Sequence, residues 1–307
     1  MNKNNLHFFL GGADLEMATI KKLLEKEGVA YSDGNLNWWD ASVAAYKDEI
    51  EKVAKKGKTP VIVELATKDK DGKDIMVLPK NTEVIDHHNA YAGKPASVLQ
   101  VCKLLGVEPT AQIKMIAAND VGSVGEMIKF DMPELSAEEK LSLMKYVRSL
   151  DKKTQGVTEE HELSGQKAAK EAIEVCGVKV ALLKGYSKCA PVTDALAFSQ
   201  FEKDPQEAQK NFKQNEVIIS EMPDKTFEVN YFGPADICGK NNENFGGWIG
   251  SGKETNFWGK DKMSKDDMVK VVSFILTQNQ EKQKEKSSKV ADAVMAKILS
   301  DFKGNGK

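Results

Sequence analysis

Short apolar runs suited to β-strands alternate with helix-period segments through the first half of this chain, and that alternation admits few folds. Leu6 to Leu10 is strand-sized and ends at Gly11-Gly12, after which Leu15 to Glu27 carries Met17, Ile20, Leu23 and Leu24 on one helical face. A second helical segment, Ala41 to Lys55, leads through the Gly57 turn into the buried-type strand Pro60-Val61-Ile62-Val63-Glu64-Leu65. Thr82 to Ile85 supplies a further short strand that ends at Asp86-His87-His88. Helices are predicted near Ala96 to Leu105, Ala111 to Ala118 and Ser136 to Leu150. The fold class is therefore α/β, with an N-terminal, mostly parallel sheet carrying helices on both faces.

The texture changes past Gly177. Ser164 to Val175 reads as a connecting helix, with Ala168, Ala172 and Val175 near one face. Lys179 to Leu183, Glu216 to Ser220 and Phe227 to Phe232 read as strands, the last two joined as a hairpin by Met222-Pro223-Asp224-Lys225. This predicts a smaller C-terminal α/β domain with a mixed sheet. Its last feature is the glycine-rich segment Phe245 to Gly252. From Ser264 two amphipathic helical stretches follow, separated by the polar run Gln278 to Lys289. The expected division is a first domain over 1–155, a connecting helix over 156–177, a second domain over 178–262 and a helical extension over 263–307.

Charge narrows the partners. Of 44 basic residues only Arg148 is arginine, against 46 acidic residues and a net charge of −2. Forked guanidinium recognition of phosphate thus has one side chain available at most, and no global field favours duplex nucleic acid. Any anion must be met by lysines, backbone N–H groups or a metal. No apolar stretch approaches the roughly 20 residues that span a bilayer, so no membrane partner is expected. The N-terminal segment runs into Gly11-Gly12 rather than a cleavage site and reads as a strand. Cys102, Cys176, Cys189 and Cys238 are dispersed without a Cys-x-x-Cys pair, which fits reduced thiols in a cytoplasm.

The strongest chemical signal is Val84-Ile85-Asp86-His87-His88-Asn89. Half of the chain's four histidines sit there beside an aspartate, at the carboxyl end of a strand, where open α/β sheets bind ligands. Imidazole with carboxylate suits a divalent transition metal such as manganese. Asp14 and Glu16 follow the first strand, Glu64 ends the Val61-Ile62-Val63 strand, and Asp120 is expected in a turn before Val121-Gly122. Each alone is more often a helix cap or a solvated surface acid than a ligand. Together, four separated segments can deliver their side chains to one sheet edge. Trp38-Trp39 precede Asp40 in a loop that either closes over the cleft or caps a core. His161, among acids at a helix start, reads as solvated.

With Ile85-Asp86-His87-His88 as its signature, the sequence resembles the DHH phosphoesterase superfamily, and its length and layout are most similar to the nano-RNA and phosphoadenosine phosphatase branch. The resemblance implies an N-terminal metal domain, a connecting helix and a second, substrate-binding domain. It implies two divalent ions, Mn2+ or Mg2+, and hydrolysis of a phosphodiester or phosphomonoester in a small nucleotide or short oligonucleotide. Asp14, Glu16, Glu64, His87 and Asp120 would be the metal ligands. Asp86 would orient a histidine, and His88 would polarise the substrate or the nucleophile. Gly246, Gly247, Gly250, Gly252 and Lys253 would contact the substrate phosphate.

Several positions depart from that family's pattern. Leu10 stands where a histidine is expected, so one metal site loses its imidazole, and His7 could replace it only with a shift in register. Two expected aspartates are Glu16 and Glu64, and Trp248-Ile249 replace a glycine and a histidine in the C-terminal motif. Two rival readings follow: a member that binds a nucleotide or protein without catalysis, and an inorganic pyrophosphatase. The latter closes its site with an arginine-bearing motif that this chain lacks after Arg148. The C-terminal helices are a candidate homodimer interface.

Overall fold

The computed structural model describes residues 2–251 and 256–283. They divide into two compact units, one formed by the chain through Val121 with Ser149–Thr154, the other by Gly122–Arg148 with the described residues from Gln155 onward. Among the described residues no helix is long and apolar enough to cross a membrane.

The first unit is built on four strands, β1 (Leu6–Phe9), β2 (Ala30–Ser32), β3 (Thr59–Val63) and β4 (Glu83–Ile85). They run parallel in the order β2-β1-β3-β4. Strand periodicity assigns the two faces. Leu6, Phe8, Val61, Val63 and Ile85 pack with Met17, Ile20 and Leu24 of α1 (Leu15–Lys26) and Val98, Val101 and Leu105 of α3 (Ser97–Leu105). Phe9 and Ile62 point the other way, onto Tyr46 and onto Ile50 and Val53 of α2 (Lys47–Lys55). The helix expected over Ala41 to Lys55 begins instead as a 3₁₀ turn, Val43–Tyr46, that runs into α2.

Strand order reverses between β1 and β3, and that switch point opens a crevice at the strand carboxyl ends. The chain leaves β1 through Gly11. A Cβ there would lie 2.6 Å from the Glu64 carbonyl oxygen and 2.7 Å from that of Val63, so only glycine lets the exit of β3 approach this closely. α4 (Ala111–Lys129) is interrupted at Gly122 (φ −161°, ψ 28°) and Ser123 (φ 50°, ψ −150°). Asp120, expected in a turn, is therefore helical. Ile116-Ala117-Ala118 carry the helix through it, and the break comes two residues later.

The second unit holds a six-stranded sheet in the order β5-β6-β7-β8-β10-β9. Its strands are β5 (Ile173–Val175), β6 (Val178–Lys184), β7 (Glu216–Glu221), β8 (Phe227–Gly233), β9 (Trp248–Ser251) and β10 (Asn256–Met263). All neighbours are antiparallel except β6 and β7, which makes the sheet mixed. Its helices are α5 (Ala137–Thr154, whose last residues belong to the first unit), α6 (Glu159–Lys170), α7 (Ala190–Lys203), α8 (Pro205–Asn211), α9 (Ala235–Phe245) and α10 (Lys265–Gln283). Val180, Val217, Ile219, Val229 and Trp258 pack on one face with Ile237 of α9 and Met268, Val272 and Ile275 of α10. Ala181, Leu183 and Ile218 face Ala168 of α6 and Val192 and Leu196 of α7.

Two local expectations change. Val175 does not continue α6. Cys176 (φ 51°) and Gly177 (φ 69°) form a two-residue turn with both backbones left-handed, the geometry that folds β-branched Ile173 and Val175 back onto β6 as a hairpin. Trp248 to Ser251 is not loop but an edge strand, as its aromatic and β-branched residues favour. The second of the two expected C-terminal helices and the end of the polar run before it lie outside the described residues.

Candidate metal centre

Four side chains from four segments meet at the switch point. Glu16 belongs to the first turn of α1, Glu64 leaves β3, His87 follows β4, and Asp120 comes from α4. One donor atom from each lies within 4.8 Å of the others. His87 Nε2 stands 2.8 Å from Asp120 Oδ2, 3.2 Å from Glu64 Oε1 and 3.6 Å from Glu16 Oε2. These atoms are buried, and none has a hydrogen-bond partner. Three carboxylates and an imidazole taken from water without hydrogen bonds would be strongly destabilising unless a positive charge joins them.

The proton affinities say the same. Burial, with the nearby Asp120 and Glu64 charges, pushes the Glu16 carboxyl well above its ordinary range against the pull of His87. Burial also acts to raise Glu64, but contact with His87 and with Glu16 outweighs it and leaves Glu64 low. Burial opposes charge on His87, yet the three carboxylates push its imidazole up to about 12. A donor set that grips protons this firmly fits a divalent cation.

The backbone explains why these side chains converge. Glu64 has a left-handed φ of 50°, rare for a non-glycine residue and costly unless the surroundings enforce it. Glu16 spends its other oxygen, Oε1, on the Val98 N–H at 2.9 Å, so it caps α3 while Oε2 faces the cluster. This tie fixes the carboxylate. Neither Val98 nor the buried Ser97 hydroxyl beside it was legible as part of the site, because Ala96-Ser97-Val98 carries no motif. Gly11→Ala, which would force β1 and β3 apart, is expected to cost about 1–3 kcal/mol of stability in urea denaturation and to weaken manganese binding.

The remaining expected residues fall elsewhere. Asp14 caps α1, its Oδ1 accepting from the Met17 N–H at 2.7 Å, and is not among the four convergent donors. It still feels the cluster. Burial, with Asp120, Glu64 and Asp151 adding to it and the Met17 bond opposing, raises its carboxyl to about 7. Asp86 Oδ1 accepts from the His88 backbone N–H at 2.8 Å and lies 3.1 Å from His88 Nδ1. An ionised carboxylate can only accept, so Nδ1 carries a proton, and this contact raises the His88 imidazole above its ordinary value against the opposing effect of burial. His88 joins Glu64 and His87 in a second, overlapping donor set. Its ring contacts His87 at 4.1 Å between centroids and meets Trp38 edge-on at 5.7 Å.

Leu10 is fully buried in the α1–α3 core, so the expected first-motif imidazole is replaced by an apolar packing residue. His7 does not substitute for it, since its Nε2 lies 2.9 Å from Ser32 Oγ. His161 accepts the Thr158 N–H at 3.0 Å and closes a capping box on α6. Gly246, Gly247 and Gly250 belong to the second unit, whereas Gly252 and Lys253 lie outside the described residues. A Cβ at Gly247 would collide with the Gly259 carbonyl oxygen and one at Gly250 with the Phe257 ring, so hairpin packing already accounts for both glycines.

No family model matches the chain, and no curated protein matches it. Solved structures similar in outline include an exopolyphosphatase-related protein from Bacteroides fragilis, at 12% identity and TM-score 0.46 over 92% of this chain and 94% of that one. A DHH domain described as belonging to a family of ribosomal proteins gives 11% identity and TM-score 0.47 over 91% and 87%. An uncharacterized protein from Helicobacter pylori gives 13% identity and TM-score 0.29 over 92% and 98%. Overlaps this loose carry no chemistry, which rests on the donor set.

Proposed function

We propose that the protein is a divalent-metal-dependent phosphoesterase of the DHH type, hydrolysing a phosphodiester or phosphomonoester in a small nucleotide or short oligonucleotide. The observation that carries this reading is the convergence of Glu16, Glu64, His87 and Asp120 as buried donors without hydrogen bonds, at the carboxyl edge of a parallel sheet. Manganese or magnesium, two ions in this reading, would supply an acidified water and neutralise charge on the phosphate oxygens. The four residues hold the cation. His88, held by Asp86 through Nδ1, is the proposed group that polarises a phosphate oxygen or the attacking water. Asp86 is a positioning residue, and Asp14 is a proposed further ligand. All four cysteines are free, in keeping with a cytoplasmic setting.

The purified chain should bind about two manganese ions and turn over short oligonucleotides, phosphoadenosine phosphate or cyclic dinucleotides. Metal analysis and a phosphate-release assay over that panel test it; a chain that retains no metal and hydrolyses none of them is not this enzyme. The buried Leu10 favours one alternative, a member that binds ligand without catalysis. Metal and ligand binding with no turnover would select it.

A further inference from the structure

Trp38 lies in the connection between β2 and α2 and neither caps a core nor stands free. One face of its indole rests on Gly12. A Cβ at that glycine would be 2.8 Å from Trp38 Cδ2, 3.0 Å from Cγ and 3.1 Å from Cε2, so the centre of the ring system covers the backbone. The connection is held there by the Ala13 N–H donating to the Leu36 carbonyl at 2.9 Å and by the Gly12–Leu36 bridge. On its flank Trp38 meets the His88 ring at 71°. The rest is open, the residue being 46% exposed. A large ring fixed on one side and open on the other is a ready stacking surface. Two rings in contact, His88 and His87, join it to the carboxylate cluster.

We propose that Trp38 is a stacking platform for the planar ring of the substrate, so that the ligand is a phosphate ester bearing a nucleobase rather than a bare polyphosphate. This rests on the phosphoesterase reading and deepens it by assigning the residue that holds the base. Gly12 sets the height of the platform, and the metal donors set the position of the phosphate. Stacking is tolerant of base identity, so Trp38 selects for a base without selecting which one.

Calorimetric titration of the manganese-loaded full chain with adenosine monophosphate and with ribose phosphate tests the platform, because both carry the phosphate and only one carries the base. The wild-type protein should prefer the nucleotide by about tenfold. Trp38→Leu should abolish that preference while binding ribose phosphate as the wild type does, which also reports that it is folded, and Trp38→Phe should retain part of it. Equal affinities in the wild type, or an unchanged preference in Trp38→Leu, overturn the platform and leave the phosphoesterase reading intact. Failure to retain manganese together with failure to bind either phosphate overturns both.

Discussion

His87→Ala is expected to remove manganese-dependent hydrolysis, with a loss larger than the roughly 10–100-fold that follows when only an outer partner of a metal ligand is changed. The imidazole is the sole nitrogen among the four convergent donors, and its Nε2 faces all three carboxylates. Without it, three acidic groups oppose one another in a buried space. Asp86→Asn, which disturbs His88 and leaves the donors in place, should fall within the smaller range. Metal content and kcat measured on the same preparations separate the two effects; a His87→Ala chain that keeps its manganese and its turnover would remove His87 from the centre.

The same contacts set a pH dependence. In the metal-free protein the folded-state value of His87 is raised to about 12 from an ordinary 6.5. Its contribution to stability is therefore complete below about 6.5 and declines as pH rises toward 12. Glu16, also raised, acts in the same direction above the ordinary carboxylate range. A divalent ion displaces those protons, so manganese affinity should rise with pH through neutrality. Calorimetry in buffers of different ionisation enthalpy should show proton release on binding. Affinity that does not change with pH would mean that the ion sits elsewhere.

The sheet was legible because its strands are short continuous apolar runs, such as Val61-Ile62-Val63, of the kind buried on both faces. Phe8 and Phe9 serve opposite faces, as a parallel sheet sandwiched between helices requires. The four donors were legible because Glu64 and His87 stand at the ends of β3 and β4, Glu16 opens the helix that follows β1, and Asp120 comes just beyond the apolar run Met115 to Ala118. Asp120 was legible in identity but not in setting, since its helix continues to Gly122 through residues that stop nothing locally. The edge strand β5 was hidden because Ala168, Ala172 and Val175 also satisfy helical spacing, and only long-range pairing with β6 decides between the two. Tertiary contacts that leave no local trace were not legible at all. The carboxylate of Glu16 capping a helix 82 positions away is one, and the indole of Trp38 lying on Gly12 is another.

Arg148→Ala is expected to destabilise the second unit by about 3–5 kcal/mol, the usual cost of breaking a buried ion pair from one side. Arg148 Nε donates to Asp194 Oδ1 at 2.9 Å, with 5% and 2% of the respective side chains exposed. The pair ties α5 to α7. Removing the guanidinium takes this ion-pair partner from the buried Asp194 carboxylate, whereas Arg148→Met with Asp194→Leu removes both charges and should recover most of the loss. Urea denaturation of the single and double variants measures the difference, and a single-variant loss below about 1 kcal/mol would place the pair among weak surface bridges instead. The consequence reaches the phosphate chemistry. The only guanidinium in the chain is committed to holding two helices together, so it is not available to grip a substrate. On the phosphoesterase reading, charge on a bound phosphate would then be balanced by the metal ions, by backbone N–H groups and by some of the 43 lysines. Lysine meets phosphate as a point charge without a fixed fork, which leaves orientation of the ester to the metal donors and to the ring contacts around His88.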